Sequence, residues 1–182
     1  MTPPPAAPRH PPGLYVLFFT EMWERFGFYT MMAIFTLYMK APAADNGLGL
    51  STTTAGDYYG YFMGLVYFTP LLGGLVADRL LGEYRSIVIG AVFLGAGYAL
   101  LALPPGDGMT LFFAAMASIV VGNGLFKPNI STMLGRLYPR GSPLRDSGFS
   151  LFYTGINLGA LFAPFAFCME RLLFSYANIY KR

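Results

Sequence analysis

Residues 14–29 read LYVLFFTEMWERFGFY, an apolar stretch that contains three charged side chains, Glu21, Glu24 and Arg25. At about 100° per residue, all three lie on one face of a helix. An ionised side chain at the centre of a bilayer costs about 2.5–3.5 kcal/mol on insertion scales. We therefore expect this face to be buried against partners or a water-filled cavity, and to serve a function.

The charged face continues through Tyr29 and Met32 toward the far end of the same helix. Glu21 precedes Arg25 by four residues, which is the favourable order for an acid and a base on a helix. The other faces carry mainly phenylalanine, leucine and methionine. The stretch therefore predicts a membrane helix with one polar stripe that can bind protons.

The composition of the chain is that of a membrane protein. Apolar residues make up 55% of its 182 residues, charged residues 12%, and the mean hydropathy is +0.50. A soluble domain carries about 25% charged residues. The net charge of +3 is too small to indicate nucleic acid, and the single cysteine, Cys168, excludes an intrachain disulfide. Neither a nucleophile–base set nor a metal-ligand cluster is recognisable, so we expect no enzyme, metal or cofactor.

Five segments are long and apolar enough to span a bilayer, so the predicted fold is all-α and transmembrane. We expect a helix bundle over residues 14–167, preceded by a disordered, proline-rich tail at 1–13 and followed by an atypical tail at 168–182. The predicted helices lie near residues 14–39, 57–77, 86–103, 109–126 and 147–167.

Basic residues predict a cytoplasmic N-terminus, because cytoplasmic connections are enriched in lysine and arginine. The connections on the opposite side hold one basic residue, Lys40. Six arginines fall on the N-terminal side: Arg9, Arg79, Arg85, Arg136, Arg140 and Arg145.

The stretch GGLVADRLLGEYR, residues 73–85, resembles the cytoplasmic loop motif of the major facilitator superfamily. The resemblance implies that its acid and bases lock helix ends together in an outward-facing state. The alternative is a solvated turn with ordinary positive-inside charges. The matching residues are Gly74, Asp78, Arg79, Gly82 and Arg85.

Three further stretches resemble the proton-dependent oligopeptide transporters, a branch of that superfamily. They are EMWERF at 21–26, which matches E-x-x-E-R-F, GNGLFKPNIS at 122–131 and GFSLFYTGINLGA at 148–160. The resemblance covers Leu14 to Pro164 and implies an incomplete N-terminal bundle, because the family folds as two six-helix bundles. We therefore expect a truncated chain, with the missing C-terminal bundle as a partner.

This resemblance implies proton-coupled symport of di- and tripeptides, with protons as coupling ions and no cofactor. Glu21, Glu24, Arg25 and Lys127 are the implied proton-coupling residues. Lys127 directly precedes Pro128. The alternative interpretation is that Lys127 lies near a helix end and that its side chain snorkels to the membrane interface. The implied substrate contacts are Arg25, Tyr29, Tyr67, Lys127 and Asn157.

Other interpretations stay open. The tyrosines could be packing aromatics, and Asn157 could make an interhelical hydrogen bond. Met32 stands where peptide-transporting members often carry an arginine, so a transporter of nitrate or another small anion is one alternative. A non-transporting membrane remnant is another. We expect an integral protein of the bacterial inner membrane. Its expected partners include the lipid bilayer and exclude nucleic acid.

Overall fold

Five α-helices make up the fold of the described residues. The computed structural model describes residues 9–104 and 109–179, with side chains through residue 169, and this part of the chain contains no strand. A short 3₁₀ helix follows the first helix, and a π-helical turn, Ala77–Leu81, follows the second. The predicted all-α fold of about five helices is therefore confirmed. The helices are α1 Pro12–Lys40, α2 Thr52–Val76, α3 Glu83–Ala102, α4 Met109–Arg136 and α5 Arg145–Ile179.

Four of the described helices, α2 to α5, are long and apolar enough to cross a membrane. The fifth, α1, has 29 residues and is long enough as well, but it carries the three charges in its middle. A helix of this length extends about 44 Å at about 1.5 Å per residue. Its charges must therefore be accommodated within the bundle.

The helix α2 begins five residues before its predicted start at Asp57. Ser51 caps it, because the serine side chain accepts a hydrogen bond from the backbone N–H of Thr54 at 3.1 Å. The first turn consists of threonines, so hydropathy did not mark it as part of the helix.

The helix α4 continues to Arg136, ten residues beyond its predicted end at Phe126. Pro128 lies inside this helix, so the proline does not terminate it. A proline removes one backbone donor, and neighbouring helices and side chains can satisfy the freed groups in a membrane protein. The Nδ2 of Asn129 donates to the carbonyl of Leu125 at 2.7 Å, at the turn that the proline perturbs.

The ends of the chain also differ from the predicted tails. Residues 1–8 of the predicted N-terminal tail, and residues 180–182 at the other end, lie outside the described residues. His10 lies within hydrogen-bonding distance of Tyr138, with 2.8 Å between Nδ1 and the hydroxyl oxygen. At the other end, the backbone of α5 stays helical to Ile179, so helix continues into the segment predicted as an atypical tail.

Glycines allow the helix backbones to approach closely around α4. A Cβ atom at Gly122 would lie 2.7 Å from the backbone nitrogen of Leu94 and 2.8 Å from the carbonyl of Gly90. On the other side of α4, a Cβ at Gly73 would overlap the carbonyl oxygen of Gly124. The helix α4 therefore packs tightly against both α2 and α3, as small residues permit in membranes.

The remaining close pair is α1 with α5, and fewer contacts join this pair to the other three helices. An aromatic cluster connects the two groups. The ring centroid of Phe35 in α1 lies 5.1 Å from that of Phe62 in α2 and 5.9 Å from that of Phe112 in α4. The bundle thus consists of an α1–α5 pair and an α2–α3–α4 group.

We predict that Gly122→Ala destabilises the bundle by about 1–3 kcal/mol, because the added methyl group overpacks the α3–α4 contact. Gly95→Ala in α3 is the matched control, since no atom lies within 4 Å of the Cβ position there. The control should stabilise the chain slightly, because alanine has the higher helix propensity. SDS titration of the detergent-solubilised chain measures both free energies of unfolding, and equal values would contradict the packing model.

Candidate functional site

The three charged residues of α1 form one buried cluster, called here the charged cluster. The side chains of Glu21, Glu24 and Arg25 are each at most 6% exposed. The Nε of Arg25 lies 3.3 Å from Oε1 of Glu21 and also pairs with the carboxylate of Glu24. The ion pair indicated by the four-residue spacing is therefore present.

The charged cluster is not fully satisfied. Oε2 of Glu21, Oε1 of Glu24 and Nη2 of Arg25 are buried without a hydrogen-bond partner. With both carboxylates ionised, two acids and one base leave a net charge of −1. A buried charge is stable only when a further cation or a proton compensates it. The arrangement can therefore take up a proton, or attract a cation, at either glutamate.

The α1–α5 contact surrounds the turn that carries the charged cluster. A Cβ atom at Gly159 of α5 would overlap the carbonyl of Met22 and lie 3.0 Å from the Cβ of Arg25. Only a residue without a side chain fits between these two backbones. Gly159 thus brings α5 against α1 at the level of the buried ion pairs.

Lys127 supplies an additional cation. It is half-buried on α4 and interacts electrostatically with all three residues of the charged cluster: Arg25 repels it, and Glu24 and Glu21 attract it. Among the described residues, no carboxylate lies within 4.0 Å of it, so it forms no direct salt bridge with either glutamate there. Its Nζ lies instead 5.5 Å from the ring centroid of Tyr67, in cation–π range.

The position of Lys127 within α4 corrects one sequence-based premise. The helix continues nine residues past it, so this lysine does not lie at a helix end. Snorkelling from a helix terminus therefore does not describe its surroundings. The structure brings Lys127 together with Tyr67, two of the residues predicted as substrate contacts.

The other predicted substrate contacts are more exposed. Tyr29 is 42% exposed, and Tyr67 is 70% exposed. Asn157 is exposed on α5 and, within the described residues, forms no hydrogen bond, so the interhelical bond is absent. Met32 is half-buried and packs against the apolar core.

Two polar residues near the site were not assigned a role from the sequence. The hydroxyl of Tyr98, on α3, is buried without a partner, and this tyrosine interacts electrostatically with Glu24. Asn123 is 1% exposed and has no partner for either amide atom. A polar side chain inside an otherwise apolar helix was the available signal in both cases.

The loop motif adopts an ordered turn, and three of its charged side chains are unpaired in the described part of the chain. Gly82 has a φ of 75°, a conformation that favours glycine, and it ends the π-helical turn. Asp78, Arg79 and Arg85 are exposed and form no salt bridge in the described part of the chain. Asp78, Arg79 and Arg85 therefore do not lock helix ends together within these residues, whereas Glu83 of the same stretch forms a salt bridge.

A different salt bridge ties helix ends together on the same side of the bundle. Oε1 of Glu83, at the start of α3, lies 2.8 Å from Nη2 of Arg136, in the last turn of α4. These residues are 53 positions apart, and no pattern in the sequence predicted the pair. The bridge also brings the basic α2–α3 and α4–α5 connections to one end of the bundle.

Comparison with known proteins identifies the family. The family model described as "PTR2: POT family" matches residues 84–178, more than half of the chain. The chain belongs to the POT family. The match continues past Pro164, where the resemblance read from the sequence ended, and it includes most of the segment predicted as an atypical tail.

Known POT proteins resemble this chain in sequence and in fold. The di-/tripeptide transporter of Lactococcus lactis subsp. cremoris is 46% identical over 156 residues, which are 85% of this chain and 31% of that protein. The peptide transporter YePEPT of Yersinia enterocolitica subsp. palearctica is 45% identical over 155 residues, or 85% of this chain and 30% of that protein. A crystal structure of a POT family transporter in complex with a thioalcohol-conjugated peptide aligns with a TM-score of 0.82 at 42% identity, covering 86% of this chain and 32% of that one.

These coverages show how much of a POT protein the chain represents. It spans about 31% of the length of the curated relatives that it matches, as expected for part of an N-terminal bundle. Together with the apolar helices, membership in this transporter family makes the protein an integral, multi-pass membrane protein.

We predict that Arg25→Gln destabilises the chain by about 3–5 kcal/mol, because it leaves two buried carboxylates without a counter-charge. The triple variant Glu21→Gln, Glu24→Gln, Arg25→Gln should recover most of this loss, because no ionised group is then left in the charged cluster. Glu21→Gln alone should change stability by about 1 kcal/mol or less, since Arg25 keeps Glu24 as its partner. The same SDS titration measures all three variants. A triple variant as unstable as Arg25→Gln would refute electrostatic pairing as the cause.

Proposed function

We propose that this chain is the N-terminal part of a proton-coupled symporter of di- and tripeptides. The observation that carries the proposal is the charged cluster: three ionisable side chains buried in α1, with a surplus of one acid. The names of its relatives support the substrate class, because they are described as di-/tripeptide and peptide transporters. The chain spans about 31% of the length of such a relative, so the proposal concerns the activity of a protein of the relatives' full length.

In this proposal Glu24 and Glu21 carry the coupled proton. A proton on either glutamate removes the surplus charge and leaves Arg25 paired with the other. The attraction of the charged cluster for Lys127 then falls, so that lysine becomes available to the carboxylate of a peptide. Proton binding and substrate binding favour each other through this exchange of partners. No cofactor other than the coupled proton is needed.

The proposed substrate contacts are Arg25, Tyr29, Tyr67, Lys127 and Asn157. The exposure of Tyr29, Tyr67 and Asn157 leaves them accessible to a ligand, and the contact between Lys127 and Tyr67 holds the cation beside an aromatic face. Alternating access would follow from the rocking of two bundles around this region.

We also propose that the N-terminus is cytoplasmic and that the host membrane is the bacterial inner membrane. The clustering of both arginine-rich connections at one end supports this orientation. In the same orientation, the loop residues Gly74, Asp78, Arg79, Gly82 and Arg85 would face the cytoplasm. Their unpaired charges would be free to engage another part of the full-length protein.

A transporter of nitrate or another small anion is the second candidate. Met32 favours it, because a methionine packed against the core offers no charge to a peptide carboxylate. The surplus acid of the charged cluster favours a proton-coupled substrate instead. Parallel uptake of labelled dipeptide and labelled nitrate separates the two.

We expect Glu24→Gln to lower proton-driven dipeptide uptake at least roughly tenfold, because the variant cannot exchange a proton there. The assay uses liposomes that contain the full-length protein and an inward proton gradient. Exchange of labelled for unlabelled dipeptide at equal pH should continue, because exchange needs no net proton transfer. Asp57→Asn, which removes an exposed acid of α2, is the matched control and should retain uptake. Unchanged gradient-driven uptake in Glu24→Gln would refute the assigned role.

We expect Tyr67→Leu to raise the KM for dipeptide about 2- to 30-fold, the equivalent of a cation–π contact of about 0.5–2 kcal/mol. Tyr67→Phe keeps the aromatic face beside Lys127 and should stay near the wild-type value. If both variants lose affinity equally, the hydroxyl group acts on the substrate and the ring does not position the lysine.

A further inference from the structure

A basic cavity lies between the end of α4 and the beginning of α5, outside the charged cluster. Its volume is about 440 Å³, which falls within the range of about 300–1,000 Å³ for small-molecule sites. Its polar lining consists of three arginines and three hydroxyl-bearing residues. These are Arg136, Arg140, Arg145, Ser131, Thr132 and Tyr138.

The backbone places the arginines of the basic cavity. Arg140 is the second residue of a turn in which the N–H of Ser142 donates to the carbonyl of Pro139 at 3.1 Å. Gly141, the third residue, has a φ of 80°, which suits glycine at this position of a type II turn. Arg145 is the first residue of α5. Its Nη2 lies 3.6 Å from the position of a Cβ atom at Gly135, so the guanidinium group is in contact range of the α4 backbone there.

The basic cavity has more positive charge than its neighbours compensate. Arg136 is paired with Glu83 at 2.8 Å. Arg140 and Arg145 have no carboxylate within salt-bridge distance in the part of the chain that the structure describes. Asp146 follows Arg145 directly, but it is exposed and forms no salt bridge in that part either. Two guanidinium groups therefore face the cavity without an anion.

The hydroxyl groups of the basic cavity differ in what they can donate. The hydroxyl of Thr132 donates to the carbonyl of Pro128 at 3.0 Å, and that of Tyr138 lies 2.8 Å from Nδ1 of His10. Ser131 has no hydrogen-bond partner among the described residues, so its hydroxyl is available to a ligand. The available donors are thus Ser131 and the two unpaired arginines.

We propose that the basic cavity binds a phosphate group, either as the headgroup of an anionic phospholipid or as free phosphate. Arginine presents several N–H groups in a planar fork that matches phosphate oxygens. The cavity lies at the ends of two membrane-spanning helices, where lipid headgroups are found, and basic pockets between such helices bind anionic headgroups. The site is separate from the charged cluster and does not depend on the transported substrate.

The test measures binding to the purified 182-residue chain in a neutral detergent. The buffer contains salt at a physiological ionic strength of about 0.15 M. The probes are dihexanoyl-phosphatidylglycerol, the zwitterionic dihexanoyl-phosphatidylcholine and inorganic phosphate. We expect saturable binding of phosphatidylglycerol or phosphate, and no binding of phosphatidylcholine at the same concentrations. Arg140→Gln with Arg145→Gln should weaken binding at least roughly tenfold, because two charge-assisted contacts are lost.

Arg79→Gln with Arg85→Gln is the matched control, because it removes two exposed, unpaired arginines from the other basic connection at the same end. The affinity of this control variant for the phosphate probes should stay within about twofold of wild type, since separated surface charges are screened at this salt concentration. An equal loss in both double variants would overturn the proposal, because net charge would then explain the binding. Equal affinity for phosphatidylcholine, or no binding of either phosphate probe, would also overturn it.

The source of the phosphate group follows from competition. Phosphatidylglycerol binding that millimolar phosphate does not displace assigns the basic cavity to a lipid headgroup. Phosphate that binds alone and displaces the lipid assigns it to free phosphate. Gly135→Leu keeps every charge and should fill the cavity, so it should weaken binding as well, with circular dichroism as the folding check. Wild-type affinity in a folded Gly135→Leu variant would overturn the assigned location.

Discussion

The structure depends on how three charges are accommodated inside α1. Water cannot solvate Glu21, Glu24 and Arg25 at this depth, so they must satisfy one another. The four-residue spacing of Glu21 and Arg25 makes one contact local to the helix, and Glu24 completes the group. The ion pairs therefore form within a single element. What the rest of the bundle must supply is a dry enclosure and a compensating charge.

Glycines supply the enclosure by letting backbones approach where a side chain would not fit. Gly159 brings α5 to the charged turn of α1, while Gly122 and Gly124 hold α3 and α2 against α4. These contacts create two tightly packed groups with fewer contacts between them. The charged cluster lies on one group and Lys127 on the other, so their separation depends on the looser boundary.

The sequence predicted the number of helices and the position of the buried charges well. Apolar runs separated by breakers define the five helices, and periodicity places the acids and the base on one face. The helix ends were predicted less accurately, because Ser51 caps a polar first turn and Pro128 is tolerated inside α4. Long-range contacts were not readable at all. The bridge between Glu83 and Arg136, and the approach of Tyr98 to the charged cluster, depend on the tertiary arrangement of helices.

The proposed coupling acts across the boundary between the two helix groups. Glycine contacts resist sliding, because any shift brings backbone atoms into overlap. Electrostatic attraction across the boundary acts over a longer distance and changes when a glutamate gains a proton. Lys127 has no direct carboxylate partner and rests beside Tyr67, so its position can respond to that change without disturbing the packed interfaces. In the proposed coupling, Lys127 is thus the group that responds to the charge on α1.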